Sequence, residues 1–214
     1  MSKVIVTGGA GFIGSHLVTR LLNEGHEVIV IDNLINGRRE NLAHISSHRL
    51  HFIEADISNA RALSRAMEGA EWVFHLAALA DIVPSITNPD TYFRANVAGT
   101  FSVLEAARSA GVKRFLYAAS SSCYGFPECV PTPVGACIEP QYPYALTKYL
   151  GEQIVLHWAR VYGLPAISLR LFNVYGPRSR TSGTYGAVFG VFLSQKLHGQ
   201  PFTIVGDGEQ KRDF

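Results

Sequence analysis

Val4-Ile5-Val6-Thr7 runs straight into Gly8-Gly9-Ala10-Gly11-Phe12-Ile13-Gly14 and from there into an amphipathic stretch reaching Asn23. No other feature restricts the chain so tightly. A β-branched run reads as a strand, and glycines at 8, 11 and 14 permit a tight turn, a close backbone approach and tight helix-on-strand packing. The helix that starts there turns free N–H groups and the positive end of its dipole toward an anion. Asp32 closes the next apolar run 18 residues after Gly14, where a carboxylate can accept hydrogen bonds from an adenosine ribose. A glycine triplet alone fits a structural turn. With a strand before it, a helix after it and an acid beyond, it reads as the pyrophosphate cradle of a dinucleotide site. Asp32 would repel a 2′-phosphate, which favours NAD over NADP; Arg38 and Arg39 could reach such a phosphate but read as a solvated helix start.

The alternation continues down the chain. Strand-like runs at Val28 to Ile31, Leu50 to Ile53, Trp72 to Leu76, Arg114 to Ala118 and Ala166 to Phe172 are interleaved with helical patterns. Those patterns lie at Ala60 to Met67, within Pro89 to Ala110, and from about Tyr144 to Val161. Helices between consecutive strands imply right-handed parallel crossovers and hence a doubly wound α/β parallel sheet. A proline-rich loop from Phe126 to Pro143 reads as an insertion over the carboxyl edge of that sheet. Beyond Pro177 the pattern weakens to one helix, Gly186 to His198, and a short β-like run, Phe202 to Val205, before the stop at Phe214.

Charge excludes some partners. Nineteen Lys+Arg against seventeen Asp+Glu leave +2, too little for a nucleic-acid or anionic-membrane surface. The N-terminal apolar run is too short for a membrane span or a signal peptide. Cys123, Cys129 and Cys137 fit neither a disulfide scaffold nor a zinc knuckle, so a reducing cytoplasm and no metal are expected.

Tyr144 and Lys148 stand four apart on one predicted helix, sharing a face, and Ser120 ends the fifth strand, where ligands bind in such sheets. Tyrosine has a pKa of about 10, so a base at neutral pH needs a shift of about three units, roughly 4 kcal/mol. One charge at about 4 Å in an effective dielectric of about 20 supplies about that. Lys148 and the positively charged nicotinamide of oxidised NAD together suffice to make Tyr144 a base.

With these motifs in order, the chain resembles the extended short-chain dehydrogenase/reductase family, and within it the nucleotide-sugar 4-epimerases that act on UDP-hexoses or UDP-N-acetylhexosamines. The resemblance rests on Thr7 to Gly14, Asp32-Asn33-Leu34, Asp56-Ile57, His75-Leu76-Ala77-Ala78, Asn96-Val97 with Gly99-Thr100, the serine cluster, Tyr144 with Lys148, Leu171 to Pro177, and Gly206-Asp207-Gly208 with Arg212-Asp213-Phe214. It implies a Rossmann NAD-binding domain over residues 1–175 and a partial sugar-nucleotide-binding lobe over 176–214. Phe12 and Ile13 would line the pyrophosphate turn with Gly8, Gly11 and Gly14. Asp32, Asn33, Leu34, Asn36 and Gly37 would surround the ribose, and Asp56 and Ile57 would flank adenine. Leu76, Ala77, Ala78, Ala80, Asn96, Ala118 and Ala119 would pass beside the cofactor, and Phe172 would border the nicotinamide. Ser120, Tyr144 and Lys148 would form the catalytic triad; Ser122, Asn173 and Arg212 would meet the UDP-sugar. His75 reads as structural.

Reactions in this family share a start, oxidation at sugar C4 to a 4-keto sugar. Dehydratases of the family place Asp-Glu after the catalytic hydroxyl and decarboxylases a Glu, whereas Ser121 and Ser122 stand here. Epimerisation at C4 with retained NAD is therefore expected, the alternatives being a 4,6-dehydratase, a UDP-glucuronate decarboxylase or a non-catalytic NAD-binding fragment. Family members continue beyond the Arg-Asp-Phe motif, so the chain reads as stopping inside the sugar-binding lobe. Its two long helices are expected to pair in a homodimer.

Overall fold

The computed structural model describes residues 1–179, 188–204 and 206–209. Six strands, β1 (Lys3–Thr7), β2 (Glu27–Asp32), β3 (Leu50–Glu54), β4 (Trp72–His75), β5 (Arg114–Ser120) and β6 (Ala166–Leu171), form one sheet. Their order is β3-β2-β1-β4-β5-β6, and every neighbouring pair is parallel. This is the doubly wound topology expected from the alternation. The strand order reverses between β1 and β4, which opens a crevice at their carboxyl ends.

Both faces of the central strands are covered, which is why those strands read as unbroken apolar runs. Val4, Val6, Val28 and Val30 pack with Val18, Leu21 and Leu22 of α1 (Phe12–Asn23). Ile5, Ile29 and Ile31 point the other way, toward Leu63 and Met67 of α2 (Ala60–Met67).

The predicted long helix within 89–110 is present with a local change of pitch. Two short helices, α3 (Ile82–Thr87) and α4 (Pro89–Phe93), precede a π-helical turn over Arg94–Ala98 that leads into α5 (Gly99–Ser109). The wider turn carries Asn96, whose amide is buried and clasps the loop after β4: Leu79 N donates to Oδ1 at 2.8 Å, and Nδ2 donates to Leu79 O at 3.0 Å. π-turns recur at functional sites. Gly99 lets α5 settle on the loop after β3, since a Cβ there would stand 2.6 Å from Ile57 Cδ1.

Two more helices complete the described chain: α6 (Pro143–Tyr162) and α7 (Val188–Leu197). The β-like run at 202–205 is not a strand over 202–204, where the backbone has no regular pattern and joins no strand of the sheet. Among the described residues no helix is long and apolar enough to cross a membrane.

Candidate active site

The glycine turn is built by contacts that leave no room for side chains. Gly8 has φ +71, and a Cβ there would stand 2.7 Å from Ala77 N; a Cβ at Gly14 would run into Gly8 O. Asp32, 6% exposed, ties the glycine turn to the loop after β2: Oδ2 accepts from Ala10 N and Oδ1 from Leu34 N, each at 2.9 Å. The second bond holds Leu34 at φ +59, a conformation costly for a branched residue. Gly37 passes so close that a Cβ would lie 2.7 Å from Asp32 Oδ1.

These groups open onto a cleft of about 520 Å³ at the switch point. Gly8, Gly11, Asp32, Asn33, Asn36, Gly37, Asp56, Ile57, Leu76, Ala77 and Ala78 line it. Asp56 accepts from Asn33 Nδ2 at 2.7 Å and from Ser58 N at 2.8 Å. Burial would raise its pKa, but the bonds from Ser58 and Asn33 outweigh that and hold it low. A glycine floor that excludes Cβ atoms, a buried acid at the end of β2 and an elongated apolar cleft fit a dinucleotide.

The other expected cofactor residues stand outside the lining. Phe12 faces His16 edge-on at 5.8 Å. Ile13 belongs to the first turn of α1, Gly14 packs on the turn itself, and Leu34 packs toward the core under α1. Ala80 is exposed, Ala118 half-buried and Ala119 buried in the core. Asn96 holds the loop above the cleft, and Phe172 stacks with Tyr124 at 6.2 Å. Arg39 is bonded to Glu54 at 2.8 Å and lies over Phe52, an exposed pair outside the cleft lining. Thr91, Arg94, Ala95 and Ala98 also line the cleft. Their three- and four-residue spacing on the helix is a signal that sequence reading passed over.

Ser120, Tyr144 and Ser122 come together at the carboxyl end of β5. Tyr144 Oη donates to Ser120 Oγ at 3.2 Å, and Ser122 Oγ donates to the same atom at 2.8 Å. Ser120 Oγ also accepts from Ser122 N, capping the short 3₁₀ turn over Ser121–Tyr124. Burial raises the phenol's pKa and Asp81 raises it further, against hydrogen bonds with Ser120 and Ser122 that lower it. Asp81, in the loop after β4, thus brings a carboxylate's charge to Tyr144 from outside the serine run.

Lys148, 4% exposed, lies one turn along α6 from Tyr144. Burial pulls it down to about 7, opposed by Glu152. Its ammonium is therefore no fixed charge near neutral pH, which the simple electrostatic sum overlooked. The sign for stability follows. Unfolded lysine keeps its proton up to about 10.4, so between pH 7 and 10 the unfolded chain binds more protons and stability rises with pH. We expect urea unfolding of the ligand-free protein to show this rise, Lys148 contributing at most about 1.4 kcal/mol per pH unit. Lys148→Met should remove that contribution, and an unchanged slope would contradict a titrating buried lysine.

His75 is buried between Thr7 Oγ1 at 2.7 Å and Thr100 Oγ1 at 2.9 Å, and burial pulls it to about 3. It is a neutral structural strut, as its lack of metal-ligand partners suggested. Asn173 follows β6 by two residues. Arg212 lies outside the described residues.

Residues 4–214 match the NAD dependent epimerase/dehydratase family. A UDP-glucose 4-epimerase from Mycolicibacterium smegmatis is 39% identical over 99% of this chain and 68% of its own. UDP-glucuronic acid decarboxylase 1 from Arabidopsis thaliana is 36% identical over 99% of this chain and 48% of its own. Among solved structures, the UDP-N-acetylglucosamine 4-epimerase of Methanobrevibacter ruminantium, in complex with UDP-N-acetylmuramic acid, superposes with a TM-score of 0.95 at 37% identity, over 100% of this chain and 68% of that one. A dTDP-glucose 4,6-dehydratase from Streptomyces venezuelae, with NAD bound, gives 0.90 at 33% identity, over 98% and 66%.

Proposed function

Since this chain belongs to the NAD dependent epimerase/dehydratase family, we propose that it epimerises a UDP-sugar at C4 through a transient 4-keto sugar. NAD is its cofactor, and the glycine turn, Asp32 and the cleft beside them would hold it. When bound, it supplies an acceptor and then a donor for two electrons.

The observation that carries the reading is the Tyr144–Ser120 hydrogen bond at the end of β5, with Lys148 one turn away and no carboxylate in the serine run that follows. Tyr144 takes the proton of the C4 hydroxyl, with Ser120 donating to the same oxygen. A charged Lys148 beside the phenol lowers the cost of that transfer. With no acid in the serine run to drive elimination or loss of CO₂, the ketone turns in its pocket, C4 would take its hydride back on the other face from the bound cofactor, and Tyr144 returns the proton to the oxygen. Atoms and charge balance because the product is an isomer. Asn173 and Arg212 are proposed to meet the diphosphate, and Ser122 the sugar.

Asp81 gives a second reading some footing, because its charge reaches Tyr144 and a placed carboxylic acid would let the same ketone eliminate water. One experiment separates the two. The purified chain is incubated in turn with UDP-galactose, UDP-N-acetylglucosamine and UDP-glucuronate, with expected conversion to the C4 epimer and no net NADH. A stable 4-keto product or released CO₂ would overturn the epimerase. The same preparation addresses assembly. The proposed homodimer would use α5 and α6, where Phe101, Leu146, Leu156 and Val161 remain exposed; elution as a monomer on sizing would remove it.

A further inference from the structure

Lys148 sits in a setting that its role in a triad does not explain. Its side chain is almost wholly buried, so water supplies little of the solvation an ammonium needs. The acid one turn along its own helix, Glu152, is bonded to Arg170 at 2.6 Å instead. What faces the ammonium is an aromatic ring. Lys148 Nζ lies 4.3 Å from the centroid of Tyr117, within the range of a cation–π contact. The face of such a ring carries the negative lobe of its quadrupole.

Tyr117 is held by more contacts than packing alone would require. It is fully buried on β5, and its hydroxyl donates to Lys148 O at 3.2 Å, tying ring and helix turn together. A Cβ at Gly151 would run into that hydroxyl, so glycine is what lets α6 come down onto the tyrosine. Beside it on β4 the ring of His75 lies 5.6 Å away at 36°, held by Thr100 at 2.9 Å. These contacts hold the ring against the Lys148 turn.

We propose that Tyr117 is a positioning residue for Lys148, its ring face standing in for water around the side-chain ammonium at the candidate active site. The titratable and charged groups facing this ammonium are known from every side. Along α6 they are Tyr144 and Glu152, the latter paired with Arg170 of β6. From β4 comes His75, neutral through burial, and Asp81, before α3, acts on Tyr144. None of them replaces the ring as a direct seat for the charge.

The proposal deepens the epimerase reading and rests on it only for its consequence in catalysis. The test replaces Tyr117 by phenylalanine and by a series of increasingly fluorinated phenylalanines, which drain the ring face of electron density with little change of shape. Each protein carries ¹³C at lysine Cε, and the Lys148 resonance, assigned by its loss in Lys148→Met, is titrated by NMR without added sugar. Phenylalanine should leave the midpoint near that of the parent. Across the fluorinated series it should fall by about one pH unit, and Tyr117→Leu, which keeps bulk without a ring, should show the full shift. A midpoint that stays flat through the fluorinated series, in proteins whose thermal unfolding is unchanged, overturns the proposal. Where turnover exists, the alkaline limb of the kcat/KM profile should move down with the midpoint. A protein whose Lys148 resonance shifts as expected but that turns over no UDP-sugar refutes the epimerase and leaves the role of Tyr117 standing.

Discussion

Tyr144→Phe is expected to lower turnover by about 10²–10⁴-fold, the usual contribution of a positioned acid–base group, while the protein still folds and still copurifies with NAD. The substitution removes one oxygen. Ser120 Oγ keeps its two bonds from Ser122, so the end of β5 should hold its shape, and the cleft that would seat the dinucleotide is lined by other residues. The loss should fall on kcat rather than KM, because the proton moves only in the reacting complex. In the unliganded protein the phenol is held protonated by burial, and Lys148 titrates at about 7. Base character in Tyr144 then requires Lys148 charged, so the parent enzyme should lose activity on the alkaline side as that lysine discharges, in a titration that belongs to the pair. A Phe variant within tenfold of the parent would take Tyr144 out of the chemistry.

Much of this site could be read from the sequence because its signals are local. The turn at Gly8 to Gly14 announces itself by spacing, and β1 and β2 by apolar runs that only a sheet covered on both faces allows. Tyr144 and Lys148 share a helix face whatever that helix packs against. What stayed hidden depends on residues meeting from distant parts of the chain. The resemblance marks Asn96, but its clasp on Leu79 exists only once the π-turn swings it there, and the charge of Asp81 reaches Tyr144 only where the loop after β4 meets α6. Asp32 was correctly expected at the end of β2, but its two backbone partners, Ala10 and Leu34, follow from the folded turn and not from the acid's position in the chain. The charge state of Lys148 depends on depth of burial, which four-residue spacing cannot report.

The pair formed by Glu152 and Arg170 belongs to that hidden class, and Glu152→Ala is expected to reduce stability by about 2 kcal/mol, less than the ~3–5 kcal/mol of a fully buried pair because the stranded Arg170 side chain is 21% exposed. Glu152 is 2% exposed, and Arg170 Nε and Nη2 donate to its two oxygens at 2.6 to 3.1 Å. The same guanidinium extends Nη1 to Tyr124 Oη at 2.8 Å and to Val134 O at 3.2 Å. Through it one carboxylate on α6 fastens β6 and the proline-rich loop that reaches over the site. Loss of the acid leaves that guanidinium without its counter-charge and loosens its hold on Val134, so proteolysis within 126–142 should quicken along with the drop in urea midpoint. Replacing both partners by methionine removes the stranded charge, and stability should recover most of the loss while the loop stays more cleavable than in the parent, since Val134 O keeps the Tyr124 hydroxyl but does not regain the Arg170 bond. A single Glu152→Ala change costing less than about 1 kcal/mol, the range of exposed pairs, would mean that water already screens this contact and that the loop is held by Tyr124, whose hydroxyl donates to Val134 O by itself at 3.1 Å.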